Sequence, residues 1–396
     1  MNKLYDWIVI GGGITGAALS YELAKVGFSV LLLEQNSILS GATRFGYGGI
    51  SYWTGTSELT RQLSIEGIER HRQLPQELDA DIEFRELDLL LTIDADRNPA
   101  EILAQYANCY IAPKLLSTQD ACELEPLLNP DAIAGAIQFR HAHIKPPLLV
   151  SAYLNALVQL GGEIVCETVV KLDRVGHKIV GVTTQQQAYR SANTVVCAGG
   201  LSRSLLKASG ISSRIYFTHA ELIETEPTDL ELRTMVMPAD TKRCQLEADA
   251  SKATIDPLWD EVGHELLPSS VDVGAIQFRD RTMKLGQLSR VLTDPNVLPD
   301  ATQSENEIRA KARQVLPKLA DLKGTWYHCL VAFSHDGLPL VGALPDLEQI
   351  YLFSGFTSPL VYVPPLALRF AREFTQSSAF ASNAIVSQLS PQRFGI

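Results

Sequence analysis

Short apolar runs rich in β-branched residues recur along this chain, bounded by glycines and polar turns. Residues 7–10, 30–33, 194–197 and 350–353 are the clearest, and their length predicts buried strands rather than helices. After the first run, Ala17, Ala18, Leu23 and Ala24 give the apolar positions of a helix that starts near Ile14 and stops at Gly27. Further helices are predicted over 57–73, ending before Pro75, and over 146–160, ending at Gly161-Gly162. A charged one over 305–315 stops at Pro317, and the last begins at about Pro364.

Elsewhere the period changes. Residues 83–89 alternate polar and apolar side chains, as a half-solvated antiparallel strand does. Residues 275–278 and 282–285, separated by Arg279-Asp280-Arg281, predict a hairpin, and Ser117-x-x-Asp120 predicts a capped short helix. The buried-strand type therefore comes in three pieces, 1–78, 141–213 and 325–396, interleaved with two pieces of the alternating type, 79–140 and 214–324. This predicts an α/β fold: a Rossmann-like nucleotide-binding domain, discontinuous in sequence, with an interleaved α+β domain on an antiparallel or mixed sheet.

Directly after the first strand stands Gly11-Gly12-Gly13-Ile14-Thr15-Gly16, and Glu34 ends the second strand. The glycines permit a tight turn, close approach of backbone amides to a pyrophosphate, and close packing of helix on strand. The helix N-terminus offers unpaired N–H groups and partial positive charge. A carboxylate at Glu34 accepts hydrogen bonds from both ribose hydroxyls and repels a 2′-phosphate. A plain glycine turn would not need that acid. Next comes Ser40-Gly41-Ala42-Thr43-Arg44, followed by Gly48-Gly49. Thr43 and Arg44 are suited to phosphates and the two glycines to a flat ring, although an exposed surface loop has the same composition. Ala198-Gly199-Gly200, at the end of a strand, reads either as a close approach to a cofactor or as a tight turn.

At 396 residues two domains are the default, and 46% hydrophobic with 20% charged residues describes a globular protein. A net charge of −11 makes nucleic acid and anionic membrane surfaces poor partners. No apolar run approaches the roughly 20 residues of a membrane span. The first strand begins by about residue 5, and the six cysteines form no C-x-x-C pair. A cytoplasmic protein without a structural metal site is expected.

Taken in order, GGGITG, Glu34, SGATR with Gly48-Gly49, residues 161–170, VVCAGG at 195–200, DGLPLVG at 336–342 and SGFTS at 354–358 resemble the FAD-dependent D-amino acid oxidase superfamily. The likeness is strongest to its glycine oxidase and monomeric sarcosine oxidase branch, and it covers nearly the whole length. It implies an FAD domain of the glutathione-reductase type and a substrate domain whose sheet roofs the flavin. Gly11, Gly13, Ile14, Thr15 and Gly16 would hold the pyrophosphate, and Glu34 with Gln35 the adenosine ribose. Val170 would present its backbone to the adenine. Ala42, Thr43, Arg44, Gly48 and Gly49 would line the pyrophosphate and isoalloxazine, with Ala198 and Gly199 alongside. Asp336, Gly337, Gly355, Phe356, Thr357, Ser358 and Leu360 would face the flavin edge.

The same resemblance exposes departures. Where glycine oxidases carry an Arg, five residues before Asp336, this chain has Val331; where sarcosine oxidases carry a Lys, it has Tyr362. Cys329 matches the position of a covalent flavin cysteine, but His328 and Leu330 do not reproduce that site, so a non-covalent FAD is expected. Tyr362, His219 and Arg44 are the candidate catalytic groups, ahead of Tyr47, Tyr52, His328 and His335. No second glycine fingerprint exists for a nicotinamide, so electrons are expected directly from a small molecule. The implied activity is oxidation of the C–N bond of an amine or amino acid by hydride transfer to flavin N5, followed by imine hydrolysis. Reoxidation by O2 to H2O2, or by another acceptor, would close the cycle. A 2-hydroxy acid dehydrogenase and a non-catalytic FAD-holding binding protein are the alternatives.

Overall fold

A computed structural model of the chain describes residues 3–375 and 384–394. The chain opens with β1 (Leu4–Ile10), α1 (Ile14–Lys25), β2 (Val30–Glu34), α2 (Ala42–Phe45), β3 (Gly49–Ile50) and α3 (Glu58–Glu77). It continues through β4 (Arg85–Asp94), α4 (Pro99–Gln105), β5 (Lys114–Leu116), α5 (Thr118–Leu124), β6 (Ile133–His143) and α6 (Pro146–Gln159). Then follow β7 (Glu163–Cys166), β8 (Val169–Val175), β9 (Lys178–Thr184), β10 (Ala188–Val196), α7 (Ser202–Ala208), β11 (Ile215–Thr225), β12 (Met235–Pro238) and α8 (Lys242–Ala250). The remainder is β13 (Glu265–Gln277), β14 (Met283–Leu292), α9 (Ala301–Val315), β15 (Gly324–Ser334), β16 (Leu340–Ala343), β17 (Ile350–Ser354), α10 (Pro359–Glu373) and α11 (Ala384–Gln388).

Two sheets organise these elements. The first runs β16-β17-β10-β1-β2-β7, with β9 on β10 and β8 on β9. Its centre is parallel: β1 pairs with β2 and β10, and β10 with β17. Trp7 and Val9 of β1 enter one apolar cluster with α1, α3, α6 and α10, while Ile8 and Ile10 enter another on the opposite face. A strand buried on both faces needs no polar positions, which is why it reads as an uninterrupted apolar run. The second sheet runs β15-β11-β14-β13-β12-β4-β6-β3, with β5 on β6. It is mixed, since only the β12–β4 pair is parallel. The expected α/β class with a mixed second sheet is what the chain adopts.

Three boundaries differ from expectation. β15 pairs with β11 along its whole length, so residues 324–334 belong to the second sheet, and the return to the first sheet follows Ser334. The apolar residues 326–333 read as a buried first-sheet strand, whereas in β15 most of them are half-buried, with Cys329 and Phe333 fully so. α3 runs through Pro75 to Glu77. A proline in a last turn removes only one helical donor, and Leu78 N still closes on Leu74 O at 2.9 Å. α10 starts at Pro359, so Pro364 and Pro365 lie inside it. Their missing N–H groups free the carbonyls of Leu360 and Val361, and α3 accommodates both. His71 Nε2 donates to Leu360 O at 2.5 Å, and a Cβ at Gly67 would sit only 2.1 Å from Val361 O.

Candidate active site

The turn between β1 and α1 leaves no room for side chains. A Cβ at Gly11, which has φ +108°, would stand 2.5 Å from Cys197 O, and one at Gly16 would stand 1.8 Å from Gly11 O. Glu34 Oε2 accepts the Gly12 amide at 2.6 Å and Oε1 accepts the Asn36 amide at 3.0 Å, which holds the carboxylate beside the turn. Ile14 N donates to Thr43 Oγ1 at 3.2 Å, while the amides of Thr15 and Gly16 make no hydrogen bond among the described residues. α1 has no side-chain cap and no acid in its first turn. An uncapped helix start beside glycines that exclude side chains fits a dinucleotide pyrophosphate. Gly199, at φ +54°, faces open space at its Cβ position, as a close approach to a cofactor requires.

The loop through α2 leads to the second sheet. Arg44 is gripped by Glu224 through two nitrogens, at 2.7 and 2.8 Å. This pairing holds Glu224 below the usual carboxylate range and Arg44 above its ordinary value. Lys284 Nζ donates to the carbonyls of Arg44 at 2.9 Å and Gly46 at 2.8 Å. Burial lowers its pKa to about 8, against the nearby Glu224. Gly48 and Gly49 leave no room for side chains. A Cβ at Gly48 would stand 2.1 Å from Ile144 O and 2.8 Å from His143 Nε2, and one at Gly49 2.6 Å from His141 Nε2.

Register identifies which sheet face meets this loop. Glu224 opposes Lys284, Ala220 opposes Cys329, and Thr218 opposes Val331. Opposed residues on antiparallel strands share a face, and successive residues alternate. Thr218, Ala220, Glu224, Lys284, Cys329 and Val331 thus point toward the loop. Tyr47 comes down on the same face, its hydroxyl 3.1 Å from the Cβ position of Gly286 and without a partner among the described residues. Burial raises its phenol, and burial raises the Cys329 thiol to about 12, although Arg243 and Lys284 pull the thiol down.

The three catalytic candidates do not converge. Arg44 is taken up by Glu224. His219 opposes Leu330 and projects from the other face, where its Nδ1 lies 2.7 Å from His328 Nε2. Burial, with His328 second, lowers the His219 pKa to about 4. Tyr362 sits in the first turns of α10 inside the apolar cluster, with Thr54 and Ser64 as polar neighbours and burial raising its phenol. Of the remaining cofactor candidates, Val170 is exposed on β8, and Gln35 O accepts Cys166 Sγ at 3.8 Å. Asp336 pairs with Arg393 at 2.8 Å, and Thr357 Oγ1 donates to Gly337 O at 3.0 Å. Gly355 turns at φ +76° ahead of the buried Phe356, and Ser358 makes no side-chain cap on α10 before Leu360. Ala198 immediately precedes Gly199 at the end of β10, and Ala42 begins α2.

Sequence reasoning passed over Glu224, Lys284 and Arg243. Lys284 carries a legible signal, a cation inside the apolar stretch Met283-Lys284-Leu285, but nothing local says which face it occupies.

A family model described as "FAD dependent oxidoreductase" matches residues 6–372. The chain is 28% identical over 389 residues to 4-methylaminobutanoate oxidase (formaldehyde-forming) of Paenarthrobacter nicotinovorans, covering 96% of this chain but only 44% of that longer protein. It is 24% identical over 371 residues to glycine oxidase of Bacillus licheniformis, covering 92% of this chain and 91% of that one. The crystal structure of glycine oxidase from Geobacillus kaustophilus superposes with a TM-score of 0.77 at 18% identity, over 99% of both chains, a likeness of fold.

Proposed function

Because this chain belongs to the FAD dependent oxidoreductase family, we propose that it oxidises the C–N bond of an amine or amino acid that binds between the two sheets. The observation that carries this reading is the glycine cradle, linked through Thr43 and Arg44 to the second sheet, on the face that bears Tyr47, Lys284, Cys329 and Val331. With no second dinucleotide turn in the sequence, the electrons come from a small molecule on that face. The names of the two relatives, one a methylamino-acid oxidase and one a glycine oxidase, support a C–N bond over a hydroxyl.

FAD, when bound, supplies the two-electron acceptor for that oxidation. The first sheet, the Thr43 hydroxyl and the start of α1 would hold the pyrophosphate, and Glu34 the ribose. The second sheet covers the reacting end, and its apolar strands exclude water, which strengthens every charge interaction within. No carboxylate on this face is free to act as a strong base: Glu224 is committed to Arg44. The substrate amine is proposed to react in its neutral form, and the protein's task is positioning. O2 is proposed as the final acceptor, giving H2O2. Among the described residues no helix is long and apolar enough to cross a membrane. All six cysteines are free, which supports a reducing, cytoplasmic compartment.

Product analysis in air tests the reading. The expected products are ammonia or a shorter amine, a carbonyl compound and H2O2; a keto acid formed only from 2-hydroxy acids would replace it.

A further inference from the structure

Val331 and Tyr362 occupy the two familiar carboxylate-anchor positions, and Lys284, the cation on the active face, is engaged by the carbonyls of Arg44 and Gly46. A different element supplies a second cation. α8 lies over the second sheet on the face that carries Val331, packing through Leu246 and Ala250 against Tyr216, Val291 and Phe333. Arg243, Leu246, Glu247 and Ala250 form one stripe at helical spacing, so Arg243 points to the sheet. Both oxygens of Asp272 on β13 fix the helix start, accepting the amides of Lys242 at 3.1 Å and Arg243 at 2.9 Å.

The guanidinium is itself held in place. Arg243 Nε donates to Glu247 Oε1 at 2.7 Å, and the same oxygen accepts Thr218 Oγ1 at 2.8 Å. Thr218 stands directly across from Val331 in the β11–β15 pair. The chain Val331, Thr218, Glu247, Arg243 thus brings a positive charge from the helix to the place where the strand lacks one. With Nε taken, the Nη1–Nη2 edge remains, and neither nitrogen has a hydrogen-bond partner among the described residues. That edge is the fork a carboxylate fits. The unpartnered Tyr47 hydroxyl, buried on the same face, offers a further donor.

We propose that Arg243 grips a substrate carboxylate through its Nη1–Nη2 edge, so that the substrate is an amino acid or N-alkyl amino acid rather than a simple amine. This rests on the oxidase reading above and sharpens it. Burial works against the Arg243 charge, but Glu247 more than offsets it, and the guanidinium stays protonated at every working pH. The same charge acts on both Tyr47 and Cys329, as a group lining their face must.

Carboxylates that cannot be oxidised test the anchor separately from turnover. The FAD-loaded protein is titrated with benzoate and propionate, and with benzamide and propionamide, following the flavin visible spectrum and heat of binding. The wild type is expected to bind the acids and not the amides. Arg243→Gln is expected to weaken acid binding about tenfold to a hundredfold, and Arg243→Lys to recover part of it. Equal affinity for acids and amides in the wild type, or unchanged acid affinity in Arg243→Gln, would overturn the anchor. Should the glutamine variant not hold FAD, the wild-type acid-to-amide ratio and the lysine variant decide. Acid binding lost in Arg243→Gln with no amine or amino acid reducing the flavin would keep the anchor and remove the oxidase reading. Amine-driven reduction with no acid binding would do the reverse.

Discussion

Arg44 and Glu224 stand 180 residues apart and meet through two hydrogen bonds, tying the loop that leaves the first sheet to the second. Single residues of this kind decide what the site can do. Gly16 is the least replaceable, because an added methyl would overlap Gly11 O. Gly16→Ala is expected to cost at least the ~1–3 kcal/mol of an overpacked core and to yield a protein that takes up no FAD, read by the absence of visible absorbance after incubation with FAD. Cys329 carries a second expectation. Its thiol is buried and pushed up to about 12, so little thiolate exists to attack anything near neutral pH. Acid precipitation of the holoprotein should leave a colourless pellet and a yellow supernatant; flavin retained in the pellet would show a covalent bond instead. Gly48 and Gly49 show where residue-level reading falls short. The groups that exclude a Cβ there, His141, His143 and the Ile144 carbonyl, come from about a hundred positions later.

At the scale of elements, the contact between α3 and α10 is the most unusual. Two consecutive prolines inside α10 free two carbonyls, and His71 serves the first of them from a fully buried position. Burial lowers its pKa to about 4, so the ring is neutral and donates through Nε2. In the unfolded chain the same ring titrates near 6.5. Between pH 6.5 and 4 the unfolded state takes up a proton that the folded state refuses, and stability falls as pH falls, by up to ~3 kcal/mol from this group. His71→Gln keeps an amide donor without the titration. Urea unfolding at pH 7.5 should show the wild type the more stable, with the gap narrowing or reversing at pH 5.0. A gap that does not change with pH would mean the ring titrates in the fold as it does in the unfolded chain. The helix bounds were misjudged here for the same physical reason: a proline signals a helix end unless another element satisfies the carbonyl it frees, and that element is remote in sequence.

Across the whole molecule, the parallel half was legible because strands buried on both faces leave uninterrupted apolar runs, and because the glycine turn, α1 and Glu34 lie within one local unit. The second sheet was legible only as alternation. Alternation reveals that a strand has two faces but not which one meets the loop through α2, and so the sequence makes His219 a candidate while register puts it on the face opposite Cys329 and Lys284. Lys284 and Cys329 share the face that meets the loop through α2 because of the pairings of Glu224 with Lys284 and Ala220 with Cys329, which no local pattern encodes. For the molecule as a whole, we propose that one FAD held by the first sheet is reduced directly by an amine or amino acid held by the second. The most direct test is anaerobic mixing of the holoprotein with amines, amino acids and the matching 2-hydroxy acids while the flavin absorbance is followed. Bleaching by amines or amino acids, and not by their hydroxy counterparts, is the expected result. Bleaching by hydroxy acids alone, or by none of the three classes, would contradict it.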